Sequence, residues 1–242
     1  METRPAILFL LLFLMALVAC DKTEPELLSG DIAGFVWAYN ENFYLEEDMS
    51  GVQVSIRDET FDTQTITDLS GKFLFEDIDY GNYLVDLEME GYFTTYTDYP
   101  LHHVGGYSPT LVNYYIHKIP TFETYIDSIH FDETNCRIYF YVNLQGLSGL
   151  PKFEYAYWCF FSDSPAISMD QFVSDDVGFL YAWELDGQLG SIMVEVWDNR
   201  FEQLRSDTIY CRVYPRANGP ALYDFYPESL GKASNVFSFV VE

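Results

Sequence analysis

Cys136-Arg137-Ile138-Tyr139-Phe140-Tyr141-Val142-Asn143-Leu144 is the stretch that decides the fold of this chain. In an extended backbone successive side chains point to opposite faces, so Cys136, Ile138, Phe140, Val142 and Leu144 share one side and Arg137, Tyr139, Tyr141 and Asn143 the other. An apolar side recurring with period two is the signature of a strand with one face in a core. The pattern continues downstream. Phe153 to Phe161 reads as a strand aromatic on both faces, Ile192, Val194 and Val196 mark another, Ile209, Cys211 and Val213 a further one, and Val236 to Val241 a closing strand.

The same period runs upstream, from Asp31 to about Lys118. Val52, Val54 and Ile56 alternate with Gln53, Ser55 and Arg57; Phe73 and Phe75 flank Leu74; Tyr83, Val85 and Leu87 share a face. Ser70-Gly71 and Tyr80-Gly81-Asn82 sit at the breaks, where turns need the freedom of glycine. No stretch keeps a helical period, and Ile119-Pro120 marks a boundary because proline cannot continue a ladder. The expected fold is all-β: two consecutive antiparallel β-sandwiches, residues 30–118 and 119–242.

The upstream residues carry a family resemblance. Gly34-Phe35-Val36, Gly51-Val52-Gln53-Val54, Thr67-Asp68-Leu69-Ser70-Gly71-Lys72-Phe73-Leu74-Phe75, Tyr80-Gly81-Asn82-Tyr83-Leu84-Val85 and Glu90-Gly91-Tyr92 resemble, in order and spacing, the carboxypeptidase regulatory-like domain. That resemblance implies a transthyretin-like sandwich without catalytic residues of its own. In the second half, Leu204-Arg205-Ser206-Asp207-Thr208-Ile209-Tyr210 is similar to the tyrosine corner of fibronectin type III and immunoglobulin-like domains, with Ser206 where proline is expected. An inward Tyr210 would put Arg212 in the core, and burying an unpaired charge is costly, so Ile209, Cys211 and Val213 are expected inward instead. Cys136 and Cys211 then face one core with Trp158 between them in sequence, which resembles the Cys, Trp, Cys arrangement of immunoglobulin domains. A Cys136–Cys211 disulfide and two buried free thiols both remain open.

The start of the chain has a different pattern. Ala6 to Ala19 is apolar, follows Arg4, and at about 1.5 Å per helical residue is too short to cross a ~30 Å hydrocarbon layer, so it reads as a signal-peptide core. Leu17-Val18-Ala19-Cys20 resembles the lipobox of bacterial lipoproteins, which implies cleavage after Ala19 and acylation of Cys20. Residues 1–19 are then a signal peptide, 20–29 a tether without apolar period, and the protein is held in a Gram-negative envelope, at the outer membrane with its face left open.

Composition bounds the partners. Twelve basic against 38 acidic residues give a net charge of −26, and losing Glu2 and Arg4 with the signal leaves it unchanged. So acidic a chain cannot neutralise phosphates, which excludes nucleic acid, and it gains nothing from anionic lipid. The acyl chains must do the anchoring. With 18% aromatic residues the chain still has ample apolar surface for packed cores.

Catalytic patterns are lacking. Gly146-Leu147-Ser148-Gly149 falls short of a nucleophile elbow, and His102-His103, His117 and His130 have no zinc spacing; adjacent histidines in an extended chain point apart. No metal and no cofactor is expected, and the chain reads as no enzyme. The aromatic surplus is the remaining signal: Tyr92, Tyr96, Tyr99 and Tyr107 crowd one segment, and Tyr139 and Tyr141 oppose a core face. Such rings can stack on a glycan or anchor an outer-membrane protein partner, or pack between the two halves. The expected function is an accessory or ligand-binding envelope module, with a spacer that presents a surface to a partner protein as the alternative. Replacing Cys20 with alanine is expected to release a folded, soluble protein, measured by membrane fractionation; retention of that variant in the membrane would overturn the lipid anchor.

Overall fold

Residues 29–118 build two four-stranded sheets. One takes the order β4 (Lys72–Asp79), β1 (Ser29–Tyr39), β8 (Gly106–Lys118), β6 (Tyr92–Thr94); the other β3 (Asp62–Ile66), β2 (Gln53–Arg57), β5 (Gly81–Glu88), β7 (Leu101–His103). The computed structural model describes residues 28–94, 100–132, 134–135, 137–147, 149, 151, 154–181, 185–186, 189–195, 207–217 and 225–240. The sheets close over Val52, Val54, Ile56, Phe73, Phe75, Tyr83 and Val85, the faces that period two assigns to the core, together with Ile32, Val36, Tyr114 and Ile116. One pairing departs from the antiparallel expectation: β1 and β8 run parallel, from Gly30 opposite Gly106 to Tyr39 opposite His117. Parallel neighbours need a long connection, and here every intervening strand supplies it.

The Thr67–Phe75 stretch explains its own residues. The Thr67 hydroxyl donates to Met49 O (2.7 Å) and accepts from Val52 N (3.0 Å), tying the start of β2 to the turn before β4. Asp68 Oδ1 accepts from Ser70 N (2.9 Å) and Lys72 N (3.0 Å), closing the turn around its own carboxylate. Gly71 sits at φ +78, and a Cβ there would lie 2.3 Å from Val36 O, so only glycine brings the turn against β1, where Val36 N donates to Gly71 O at 2.8 Å.

Residues 123–240 form one seven-stranded sheet, ordered β15 (Phe237–Val240), β14 (Thr208–Arg216), β11 (Glu154–Ser162), β12 (Ser174–Tyr181), β13 (Leu189–Glu195), β10 (Arg137–Gln145), β9 (Glu123–Asp132). It folds over between β12 and β13, which pair only at Gly178–Val194 and Phe179–Met193, so β9-β10-β13 faces β15-β14-β11-β12 across a core. The side-chain amide of Asn235 closes the free edges: its oxygen accepts from Ile126 N (2.7 Å) and its nitrogen donates to Ile126 O (3.1 Å). Strands sorted in this way give an antiparallel β-sandwich.

Ile138, Phe140, Val142 and Leu144 of β10 are buried in that core, and so are Ile209, Cys211 and Val213 of β14. Arg212 stays on the outer side, donating to Ser234 O (3.0 Å) and Ile167 O (3.3 Å). β11 is buried on both faces: Tyr155, Tyr157, Cys159 and Phe161 enter the main core, while Trp158 and Phe160 enter a second one roofed by Ile167, Phe225, Leu230 and Val236. Among the described residues Cys211 is a free thiol, donating to Phe237 O at 3.5 Å. Trp158 points away from the core that holds Cys211, so the immunoglobulin-type arrangement is not formed. Cys136, its expected partner, lies outside the described residues.

The two halves meet around β1, β6 and β11. Tyr155 Oη donates to Asn42 Oδ1, Glu41 Oε2 accepts from Thr121 N and Oγ1 (both 2.9 Å), and the Phe93 and Tyr226 rings lie 5.3 Å apart. His117 is buried at this end, stacked on Tyr39 at 5.3 Å, and burial lowers its pKa to about 4.

Two tests follow from these contacts. Thr67→Val keeps the shape but strands a buried N–H and a carbonyl, and is expected to cost about 1–3 kcal/mol, read as a lower urea midpoint with unchanged slope. His117 binds its proton more readily unfolded than folded, so its contribution to stability is complete above pH 6.5 and is lost as the pH falls toward 4. Between pH 7 and 5 the wild type should lose about 2 kcal/mol relative to His117→Phe, and parallel stability curves would refute this.

Candidate functional site

The first sheet shows two contrasting faces. On β1, Ile32, Gly34, Val36 and Ala38 point into the core, so Ala33, Phe35, Trp37 and Tyr39 point outward. On β8 the outward residues are Leu111, Asn113, Tyr115 and His117, and on β4 they are Lys72 and Leu74. The registers set them in rows: Leu74–Ala33–Leu111, then Lys72–Phe35–Asn113, then Trp37–Tyr115, then Tyr39–His117–Phe93. Phe35 and Trp37 stack at 5.7 Å with planes 22° apart, and the Tyr39 and Tyr115 rings lie 6.4 Å from each other.

Burial divides this face along its length. Phe35 is 37% exposed, Leu74 42%, Tyr115 46% and Leu111 75%, which leaves the first three rows open. His117 and Phe93 are buried, with Phe43 against His117 (5.6 Å) and Tyr226 against Phe93, so the fourth row is closed. The outer face of the opposite sheet is mixed, carrying Gln53, Ser55 and the Arg57–Asp86 ion pair at 2.7 Å beside the exposed aliphatic Ile66 and Leu84, and no stacked rings among its described residues. Clustered exposed rings of this kind make the β1–β8 face the candidate site. Among the described residues its open rows contain no carboxylate, thiol or imidazole. They can stack on a ring and offer hydrogen bonds from Lys72 and Asn113, but they hold no acid–base pair.

Among the described residues, the tyrosines singled out by sequence lie in three separate places. Tyr92 turns toward the core and donates to Glu46 Oε1 at 2.8 Å; burial, with that carboxylate, pushes its pKa up. Tyr107 is fully exposed near the start of β8, whereas Tyr92 pairs with Lys118 at its far end, more than ~30 Å away by strand rise. Tyr139 and Tyr141 lie on the outer face of β10 in the other half, Tyr139 beside His130 (6.3 Å) and Tyr141 46% exposed. Tyr96, Tyr99 and Cys20 lie outside the described residues. The face on β1 and β8 had a readable signal, the outward set Phe35, Trp37 and Tyr39, but the pairing that adds Tyr115 is not visible in the chain.

Other candidates have local explanations. His102 and His103 point apart as expected: His102 Nδ1 lies 2.8 Å from Asn82 Oδ1 at the surface, while His103 is buried between Thr110 Oγ1 (2.7 Å) and Ile78 O (3.0 Å). Among the described residues no three His, Cys, Asp or Glu side chains are grouped to hold a metal ion. Cys159 and Cys211 are buried, which raises both thiol pKa values and leaves them unreactive. A cavity of about 430 Å³ is lined by Asp58, Phe61, Asp77, Asp79, Tyr80 and Tyr83, among others. Asp58 is engaged by Thr60 N and Phe61 N in its own turn and Asp77 by Ser29 Oγ.

No protein-family model and no curated protein sequence matches this chain. Among solved structures it is similar to a DUF3823 family protein from Bacteroides ovatus ATCC 8483 (9% identity, 88% of this chain and 100% of that one, TM-score 0.31). Others are the "putative carbohydrate binding protein" of Bacteroides uniformis ATCC 8492 (12%, 87% and 98%, 0.30) and BcpA, the major pilin subunit of Bacillus cereus (13%, 88% and 69%, 0.36). Likenesses this distant carry no inference about ligand or partner.

Proposed function

We propose that this chain is a non-enzymatic, lipid-anchored module of the bacterial envelope that binds glycan on the outer face of β1 and β8. The observation that carries the reading is the pair of stacked rings Phe35 and Trp37 with Tyr115 beside them, flanked in the open rows by Lys72 and Asn113. Flat aromatic surface held on rigid strands can stack on the apolar face of a sugar ring with little loss of side-chain freedom. The anchor is supported by Leu17-Val18-Ala19-Cys20, and membrane attachment through Cys20 leaves both sandwiches outside the bilayer. The fibronectin type III and carboxypeptidase regulatory-like assignments of the two halves belong to the same proposal.

A spacer that presents a surface to a partner protein is the second reading. It is favoured by the junction, where Tyr155–Asn42, Glu41–Thr121 and Phe93–Tyr226 tie the halves together. A panel of soluble polysaccharides run through affinity electrophoresis separates the two. At least one polymer is expected to retard the wild type, with Trp37→Ala/Tyr115→Ala losing about tenfold or more in affinity and Tyr141→Ala unchanged. Absence of any retardation would leave the spacer reading.

A further inference from the structure

Resting on that glycan reading, we propose that the ligand of the β1–β8 face is an uncharged, extended glycan, of which about three consecutive sugar rings are held, one per open row. Charge comes first. Among the described residues of the three open rows the only ionic side chain is Lys72, at the edge of the face on β4. No carboxylate lies in these rows to pair with an ammonium, and a chain of net charge −26 repels an acidic polymer before contact. Recognition therefore falls to stacking and to the Asn113 amide, which select for rings and hydroxyls rather than charge.

Length comes from the register. Outward residues on one strand are spaced by about 6.7 Å, so the rows at Ala33, Phe35 and Trp37 span about 13 Å. Beyond Trp37 the face ends at the closed row, where Tyr39 is stacked on His117 and Phe93 is capped by Tyr226 of the second half. That wall stops the ligand at one end. At the other, the apolar platform ends with Leu74 and Leu111. A longer chain can extend past the leucines, but it gains no further stacking partner.

The test is titration calorimetry of the soluble Cys20→Ala protein with neutral cello-, xylo-, manno- and malto-oligosaccharides of one to six units, and with polygalacturonate, at physiological salt. In at least one neutral series, affinity is expected to rise about threefold or more per unit up to the trimer and to change less than about twofold from tetramer to hexamer. Trp37→Ala and Phe35→Ala, each checked for native circular dichroism, are expected to remove this binding, and polygalacturonate is expected not to bind. Trp37-dependent binding of polygalacturonate, or affinity still climbing beyond the tetramer, would overturn the neutral, three-ring assignment while leaving a glycan site in place. If no sugar binds in a Trp37-dependent way, the glycan reading itself falls.

Discussion

The parallel pairing of β1 with β8 is the constraint on which the first half depends. It fixes both faces of the sheet at once, because a one-residue slip would exchange Val36 and Ile116 in the core for Trp37 and Tyr115 outside. The approach is close enough that a Cβ on Gly34 would lie 2.0 Å from Val112 O and 2.8 Å from the Phe73 ring, so this position cannot carry a side chain without separating the strands. At its far end the same register sets Tyr39 against His117 and brings β6 in beside them. Core, outward aromatic rows and the junction with the second half are thus consequences of one alignment.

Much of this was legible in the sequence where the determinants are local. The faces of β2, β4, β5 and β10 follow from period two, and Thr67, Asp68 and Gly71 occupy the positions that a turn of that geometry requires. Pairing between strands far apart in the chain leaves no such trace, so the parallel neighbour of β1 and the presence of Tyr115 beside Trp37 emerge only from the fold. The same limit applies to β11. Its two apolar faces are evident, but the residues that roof the second one, Ile167, Phe225, Leu230 and Val236, come from segments without periodicity. Cys211 and Trp158 follow the same logic: their order in sequence matches an immunoglobulin pattern, whereas the parity of β11 turns Trp158 away.

The aromatic surplus has three destinations with different physics. On β11 and β14 it fills cores on both sides of one sheet, with Trp158 Nε1 satisfied by Asp175 at 2.7 Å and Arg216 5.3 Å from the Trp158 ring. At the junction it joins the halves through Phe93, Tyr226, Tyr155 and Phe122. Elsewhere it reaches solvent, on the open rows of β1 and β8, on the outer face of β10, and singly at Tyr44, Phe61, Tyr80, Tyr107, Tyr125 and Phe172. The outer face of β10 is mixed with charge, Arg137 being paired with Glu195 at 2.8 Å, whereas the open rows on β1 are nearly uncharged.

That distribution bears on how the proposed anchor and the proposed binding face work together. β1 begins at Ser29, directly after the tether, and its open rows lie toward that end while the closed row faces the second half. A fully extended chain from Cys20 to Ser29 reaches about 30 Å, so with Cys20 acylated Ser29 can stand no farther than this from the lipid surface. Net charge of −26 opposes collapse onto anionic headgroups. Under the proposed acylation the lipid limits how far Ser29 stands from the membrane, and charge repulsion opposes the aromatic rows lying against it.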